Sequence, residues 1–175
     1  MQQLPPSHPR NVLTDTSYLH CSMETIALRT KLCTLTNSLQ YNPEFSEILQ
    51  HEQEIQAAIE SIPKWPDPKS FHAWTLLDLQ LRQFLAILHT PRALKTQLRI
   101  KPNHRYSILT CLEQATMLIE RHTNLMDSGN FALCCVRSDY YRAGLLICHI
   151  TYHASAAAGP SPSNPAPVSL SSNKQ

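Results

Sequence analysis

Apolar residues cover nearly the whole circumference of one predicted helix near the middle of the chain. The sequence of residues 70–91 is SFHAWTLLDLQLRQFLAILHTP, and a helix that is apolar on nearly every side is buried against several partners. Ser70 fits the N-cap, because its hydroxyl can accept an unpaired backbone N–H. Pro91 cannot continue a helix, so the predicted central helix ends near His89. Its large apolar residues are Trp74, Leu76, Leu77, Leu79, Leu81, Phe84, Leu85, Ile87 and Leu88.

Two helices are predicted before the central helix. The first begins at residue 15 or 16, carries an apolar stripe at helical spacing and ends at Leu39. The second begins with Asn42 as its N-cap and Pro43 in the first helical position, and Pro63 ends it. Its glutamates outnumber its other charged residues, which indicates a solvated outer face rather than paired catalytic carboxylates.

Two more helices are predicted after the central helix. The first has Asn103 as its N-cap and ends at residue 124 or 125. A turn at residues 127–130 separates it from the last helix, which begins within residues 131–138 and ends at His153.

The complete pattern predicts an all-α fold of about five helices packed irregularly around the buried central helix. Residues 1–14 contain several prolines and form a loose N-terminal segment, and residues 15–153 form one helical domain. Residues 154–175 are rich in Ser, Pro and Ala and cannot bury a core, so they form a disordered tail.

Composition excludes several classes of function. The chain has 3 glycines in 175 residues, with no Gly-rich phosphate loop and no nucleophile elbow, so the common nucleotide-binding and α/β-hydrolase classes are excluded. No apolar run at the N-terminus resembles a secretory signal, and none is long enough to span a membrane. The 6 cysteines form no C-x-x-C pair, which favours reduced thiols in an intracellular protein.

Three candidate arrangements of residues suggest chemistry, but each lacks a requirement. His149 and His153 lie four residues apart on a predicted helix and could face one metal ion, yet a zinc site needs a third ligand. Cys134 and Cys135 are adjacent, and adjacent side chains diverge on a helix. A nucleophilic Cys–His pair needs an exposed thiol, whereas most cysteines of this chain have apolar surroundings in the sequence. The sequence therefore predicts no catalytic residue, no metal site and no cofactor.

Two further features allow alternative interpretations. The segment from Arg92 to Arg105 is basic, and it is either a phosphate-contacting patch or a solvated joint without the aromatic residues that stack on bases. The apolar stripe from Trp74 to Leu88 either packs as core or lines a ligand cavity between helices.

Two stretches resemble the fungal-specific transcription factor domain, the helical middle region of fungal zinc-cluster regulators. The first contains Trp74, Leu77 and the sequence QFLAILH at residues 83–89, and resembles a family helix that ends in a Leu-Leu-His-Arg-Pro type sequence. Thr90 stands where arginine is common in the family. The second is the helix around CLEQA at residues 111–115, in which glutamine replaces a small residue. The motif and core residues singled out are Trp74, Leu77, Phe84, Leu85, Leu88, His89, Pro91, Tyr106, Cys111 and Ala115.

The resemblance implies a nuclear regulator, of the type that controls secondary metabolism, that is not an enzyme. Its partners would be proteins, either the transcription machinery or a second copy, with no membrane contact. Family members read DNA through an N-terminal C-x2-C-x6-C zinc cluster, which this chain lacks. We therefore expect a truncated member, a gene-model fragment or a stand-alone remnant that does not bind DNA directly. The alternative is a small helical enzyme or accessory protein of a fungal biosynthetic pathway, with a pocket beside Trp74.

Overall fold

The structure is a computed structural model that describes residues 9–38, 42–67, 70–95, 101–129 and 137–158. Within these ranges the regular secondary structure is entirely helical, which confirms the predicted all-α fold. No helix in the described ranges combines the length and apolar character needed to cross a membrane. The helices are α1 (Ser17–Glu24), α2 (Ile26–Thr36), α3 (Phe45–Glu60), α4 (Ser70–Ala93), α5 (Pro102–Asp127) and α6 (Asp139–Ala158).

Helix α4 is the predicted central helix, and it contacts each of the other described helices. It separates two apolar clusters, which explains why its sequence is apolar on nearly every side. The first core joins α4 to α1, α2 and α3, and its α4 residues are Leu77, Leu81, Phe84, Leu85 and Leu88. The second core joins α4 to α5 and α6, and includes Leu79, Ala86, Cys111, Ala115, Leu118, Ala143 and Leu146.

The first predicted helix is in fact two helices that meet at Thr25. The Thr25 hydroxyl donates to the carbonyl of Ser22 at 3.0 Å, and the Arg29 guanidinium donates to the same carbonyl at 2.8 Å. In a continuous helix the Ser22 carbonyl would accept a hydrogen bond from a backbone N–H, but here two side chains bind it instead. Helix α2 ends at Thr36, before the predicted end at Leu39, which lies outside the described residues.

The predicted N-caps of two helices are each wrong by two residues. Glu44 rather than Asn42 is the N-cap of α3, and its backbone N–H donates to the Glu47 carboxylate at 3.1 Å in a capping box. Asn42 instead accepts a hydrogen bond from Lys95. Helix α5 begins with Pro102 in its first turn and Lys101 as N-cap, so Asn103 lies inside the helix.

The prediction that α4 ends near His89 is wrong, because the helix continues through Pro91 to Ala93. Proline lacks one N–H, and within the last turn this costs a single intrahelical hydrogen bond. The Thr90 hydroxyl donates to the Ala86 carbonyl at 2.7 Å. The Arg92 guanidinium lies over the Phe45 ring at 5.3 Å, which packs this last turn against α3.

Helix α6 begins at Asp139 and extends to Ala158, five residues beyond the predicted end. The added residues 154–158 are mostly alanine, which has the highest helix propensity. The rest of the predicted tail and the pair Cys134–Cys135 lie outside the described residues.

Candidate functional site

Most of the motif residues lie in or against the two cores, and the ten do not converge on one cavity. Most of them are buried: Leu77, Phe84, Leu85, Leu88, His89, Cys111 and Ala115. Trp74 is half-buried, and Pro91 and Tyr106 are exposed. Burial raises the pKa of the Cys111 thiol to about 12, so this thiol stays protonated and is a poor nucleophile.

A buried ionic network joins α4 to α5. The Asp78 carboxylate, which has no solvent-exposed surface, accepts hydrogen bonds from Arg82 at 2.7 and 3.0 Å and from Arg121 at 3.3 Å. The Arg121 guanidinium also lies over the Trp74 ring at 4.8 Å. Trp74 therefore packs against this network.

Gln114 completes the network at the position where the resembled family has a small residue. Its side-chain oxygen is buried and accepts a hydrogen bond from Arg82 at 2.9 Å. The guanidinium of Arg82 also contacts the Met117 sulfur at 3.3 Å. A small residue at position 114 would leave part of a buried guanidinium without an acceptor.

A second polar cluster lies where α3, α4 and α5 meet. The buried His89 ring approaches Ser107 Oγ at 3.1 Å through Nδ1 and Glu52 Oε2 at 3.4 Å through Nε2. The Tyr106 hydroxyl donates to both Glu52 oxygens at 2.9 and 3.0 Å. Ser107 is fully buried inside α5, so the Ser–His–Glu arrangement offers no substrate access to the hydroxyl and has a structural role.

The prediction that the glutamates of α3 face only solvent missed Glu52. Glu52 lies four residues after Ile48 and three before Ile55, so it falls on the apolar face of the helix. This spacing is the signal that could have identified it. A carboxylate on a buried face needs a partner from another helix, and Tyr106 and His89 supply it.

Burial lowers the pKa of His89 below its ordinary value; the nearby Glu52 carboxylate opposes this effect, and Arg92 adds to it. As the pH falls, His89 therefore becomes protonated at a higher pH in the unfolded chain than in the folded chain. Stability that depends on neutral His89 is complete above the unfolded pKa of about 6.5 and declines as the pH falls below it.

We expect His89→Asn to reduce this pH dependence, because asparagine can retain a hydrogen bond to Ser107 and does not titrate. Urea unfolding at about pH 7.5 and about pH 5.5 measures the effect for both proteins. The free energy of unfolding should fall less in the variant than in the wild type between the two pH values. An equal fall would show that His89 does not contribute.

A third polar cluster anchors the start of α6. His122 Nε2 lies 3.1 Å from Asp139 Oδ1, and Arg137 donates to the same carboxylate at 2.6 Å. Burial opposes ionisation of Asp139, but hydrogen bonds from His122 and Arg137 outweigh it and hold the pKa of Asp139 well below its ordinary value. The Asp139 charge is thus compensated within the fold.

A groove of about 610 Å³ lies between α2, α4 and α6. We call it the α2–α4–α6 groove. Its buried side is mainly apolar and comprises Phe84, Ala86, Leu118, Ala143 and Leu146, with the half-buried Ile87. Its exposed edge carries polar side chains, among them Asn37, Arg142 and His149, and the half-buried Gln83 and Thr90. Most of the predicted apolar stripe is therefore core, and Phe84 and Ile87 also line this groove.

The two predicted metal-ligand candidates lie together on α6. Nε2 of His149 and Nε2 of His153 are 2.8 Å apart. Among the described residues they belong to no group of three potential ligands. The group that does meet this geometric requirement is His20, Cys21 and Glu24, but Glu24 is paired with Arg10 at 2.6 Å and Cys21 is a buried thiol with a raised pKa.

The basic segment is partly used within the fold. The half-buried Arg92 packs on Phe45, and the exposed Lys95 contacts Asn42. Lys101 and Arg105 are also exposed. Residues 96–100 lie outside the described residues. Only part of the segment is thus engaged within the fold, and a phosphate-contacting role stays a prediction.

Comparison with known proteins identifies a fungal relative. The chain is similar to transcription factor lepE of Aspergillus flavus, with 30% identity over 129 residues. The aligned part is 70% of this chain and 15% of that protein, so the chain spans a small fraction of its relative. No protein-family model matches the chain, and no solved structure matches it. The chain is therefore related to a segment of a fungal transcription factor.

Proposed function

We propose that this chain is the regulatory and interaction region of a fungal transcriptional regulator, resembling the fungal-specific transcription factor domain. It acts in the nucleus through contacts with other proteins or with a small effector, and DNA binding is supplied elsewhere. The observation that carries the proposal is the similarity to a segment of a transcription factor. The helices that bear the resembled motifs, α4 and α5, also form the most extensive helix pair of the fold, which supports a scaffold role.

The alternative of a small helical enzyme has no specific observation in its favour. The α2–α4–α6 groove is not lined by Trp74, nor by His72, His89 or His104. The buried His89 and Ser107 face each other inside the helix packing. A catalytic interpretation would require these groups to reach solvent.

Tethering tests the regulatory proposal. The chain is fused to an unrelated DNA-binding domain in a fungal host, and transcription of a reporter with the matching binding sites is measured. We expect a reproducible change in reporter output compared with the DNA-binding domain alone. The Leu109→Ala variant, altered at an exposed residue of α5, is the folded control. Unchanged output with a folded, nuclear fusion would contradict the proposal.

We also expect the isolated chain not to bind duplex DNA with micromolar affinity at physiological salt. The zinc cluster is absent, and the described part of the basic segment is partly used within the fold. Fluorescence anisotropy with a labelled random duplex measures this at several salt concentrations, because phosphate contacts weaken as salt rises. Micromolar or tighter binding at physiological salt would show that DNA contact resides in this chain.

A further inference from the structure

The α2–α4–α6 groove has the size and lining of a small-molecule site. Its volume of about 610 Å³ falls within the range of roughly 300–1,000 Å³ typical of ligand pockets. Apolar side chains from α4, α5 and α6 form its buried side, and the opening carries polar side chains together with the exposed Leu145. This division suits a ligand with an apolar body and a polar group at one end.

The charge at the opening specifies the polar group. Two charged residues line the groove, Asp139 and Arg142. The Asp139 carboxylate is neutralised by Arg137 and His122. Arg142 is exposed and has no ion-pair partner among the residues that the structure describes. The groove therefore offers one uncompensated positive charge next to apolar surface.

We propose that the α2–α4–α6 groove binds a small apolar anion, with its hydrocarbon or aromatic body against Phe84, Ile87 and Leu146 and its carboxylate at Arg142. Arginine suits this role because its guanidinium can donate two parallel hydrogen bonds to a carboxylate. His149 lies about two turns further along α6 and lines the same groove. The proposal concerns binding alone and does not depend on the proposed role in transcription.

Two fluorescent probes of similar shape separate charge from apolar contact. Anilinonaphthalene sulfonate is an apolar anion, and phenylnaphthylamine is its uncharged counterpart. We expect saturable binding of one anionic probe per chain, and displacement by decanoate. Arg142→Gln should weaken the anionic probe about threefold or more, as expected for an exposed ion pair, and leave the uncharged probe unchanged.

Filling the groove should weaken both probes. Gln83→Trp places a large side chain in the groove from α4, where the native side chain hydrogen-bonds only within its own helix. We expect both affinities to fall about tenfold or more. Cys33→Trp, at an exposed position on the α2 wall, provides a second filling variant if the first fails to fold. Tyr152→Ser, on the exposed face of α6 outside the groove, is the matched control and should not change either affinity.

Three outcomes would overturn the proposal. Unchanged probe binding in a folded filling variant would place the probes elsewhere. An equal loss of both probes in Arg142→Gln would remove the anion preference. Self-association in sedimentation velocity that the filling variant abolishes would show that a second copy occupies the groove. None of these results bears on the reporter assay, so the binding proposal and the proposed function can fail separately.

Discussion

Replacing Asp78 with alanine is expected to lower the free energy of unfolding by about 3–5 kcal/mol, because it leaves a buried arginine without its counterion. Asp78 is the shared acceptor for Arg82 and Arg121, and no part of it is exposed to solvent. Arg82 is also nearly buried, with 7% of its surface exposed. Its remaining acceptor in the network, the Gln114 amide, carries no charge.

The double variant Asp78→Leu with Arg82→Met tests the cause. Removing both partners eliminates the unpaired buried charge, and apolar replacements of a buried pair are often neutral or stabilising. We therefore expect the double variant to be more stable than Asp78→Ala in urea unfolding. Glu60→Ala, at an exposed carboxylate of α3, is the control and should change stability by less than about 0.5 kcal/mol. A loss below about 1 kcal/mol for Asp78→Ala would contradict a buried network.

The fold class and the central helix could be predicted because they depend on one periodic property. Helix α4 is apolar on opposite sides, and the structure places a separate core against each side. Helix ends were less predictable, because they depend on individual hydrogen bonds. Thr25 interrupts the first helix through contacts with Ser22 and Arg29, whereas Pro91 does not interrupt α4 because it lies within the last turn.

The polar clusters and the groove could not be predicted to the same extent. Asp78 and Arg82 have the spacing of a helical ion pair, but their partners Gln114 and Arg121 come from another helix. The groove depends even more strongly on tertiary structure, because its walls come from α2, α4 and α6. Arg142 has no local feature that distinguishes it from any other exposed arginine. That its charge is not compensated by Asp139 becomes apparent only from the structure, in which Asp139 is paired with His122 and Arg137.

Replacing Leu85 with alanine is expected to cost about 2–5 kcal/mol, because the side chain is fully buried in the first core and its removal leaves a cavity. Leu85 lies on α4 and faces α1, α2 and α3, and this packing restricts how far the neighbouring side chains can close the cavity. Phe84→Ala should have an effect of similar size, since Phe84 is buried in the same core. Urea unfolding measures both variants.

Two controls separate packing from a general effect of substitution in helices. Leu85→Met keeps nearly the same volume and should cost less than about 1.5 kcal/mol. Leu109→Ala removes a leucine that is 66% exposed on α5 and should change the free energy of unfolding by less than about 0.5 kcal/mol. If Leu85→Ala and Phe84→Ala both cost less than about 0.5 kcal/mol, α4 is not the buried centre of the fold. The packing that places Phe84, Ile87 and Leu118 along the groove would then fail with it, because these residues are positioned by the same helix contacts.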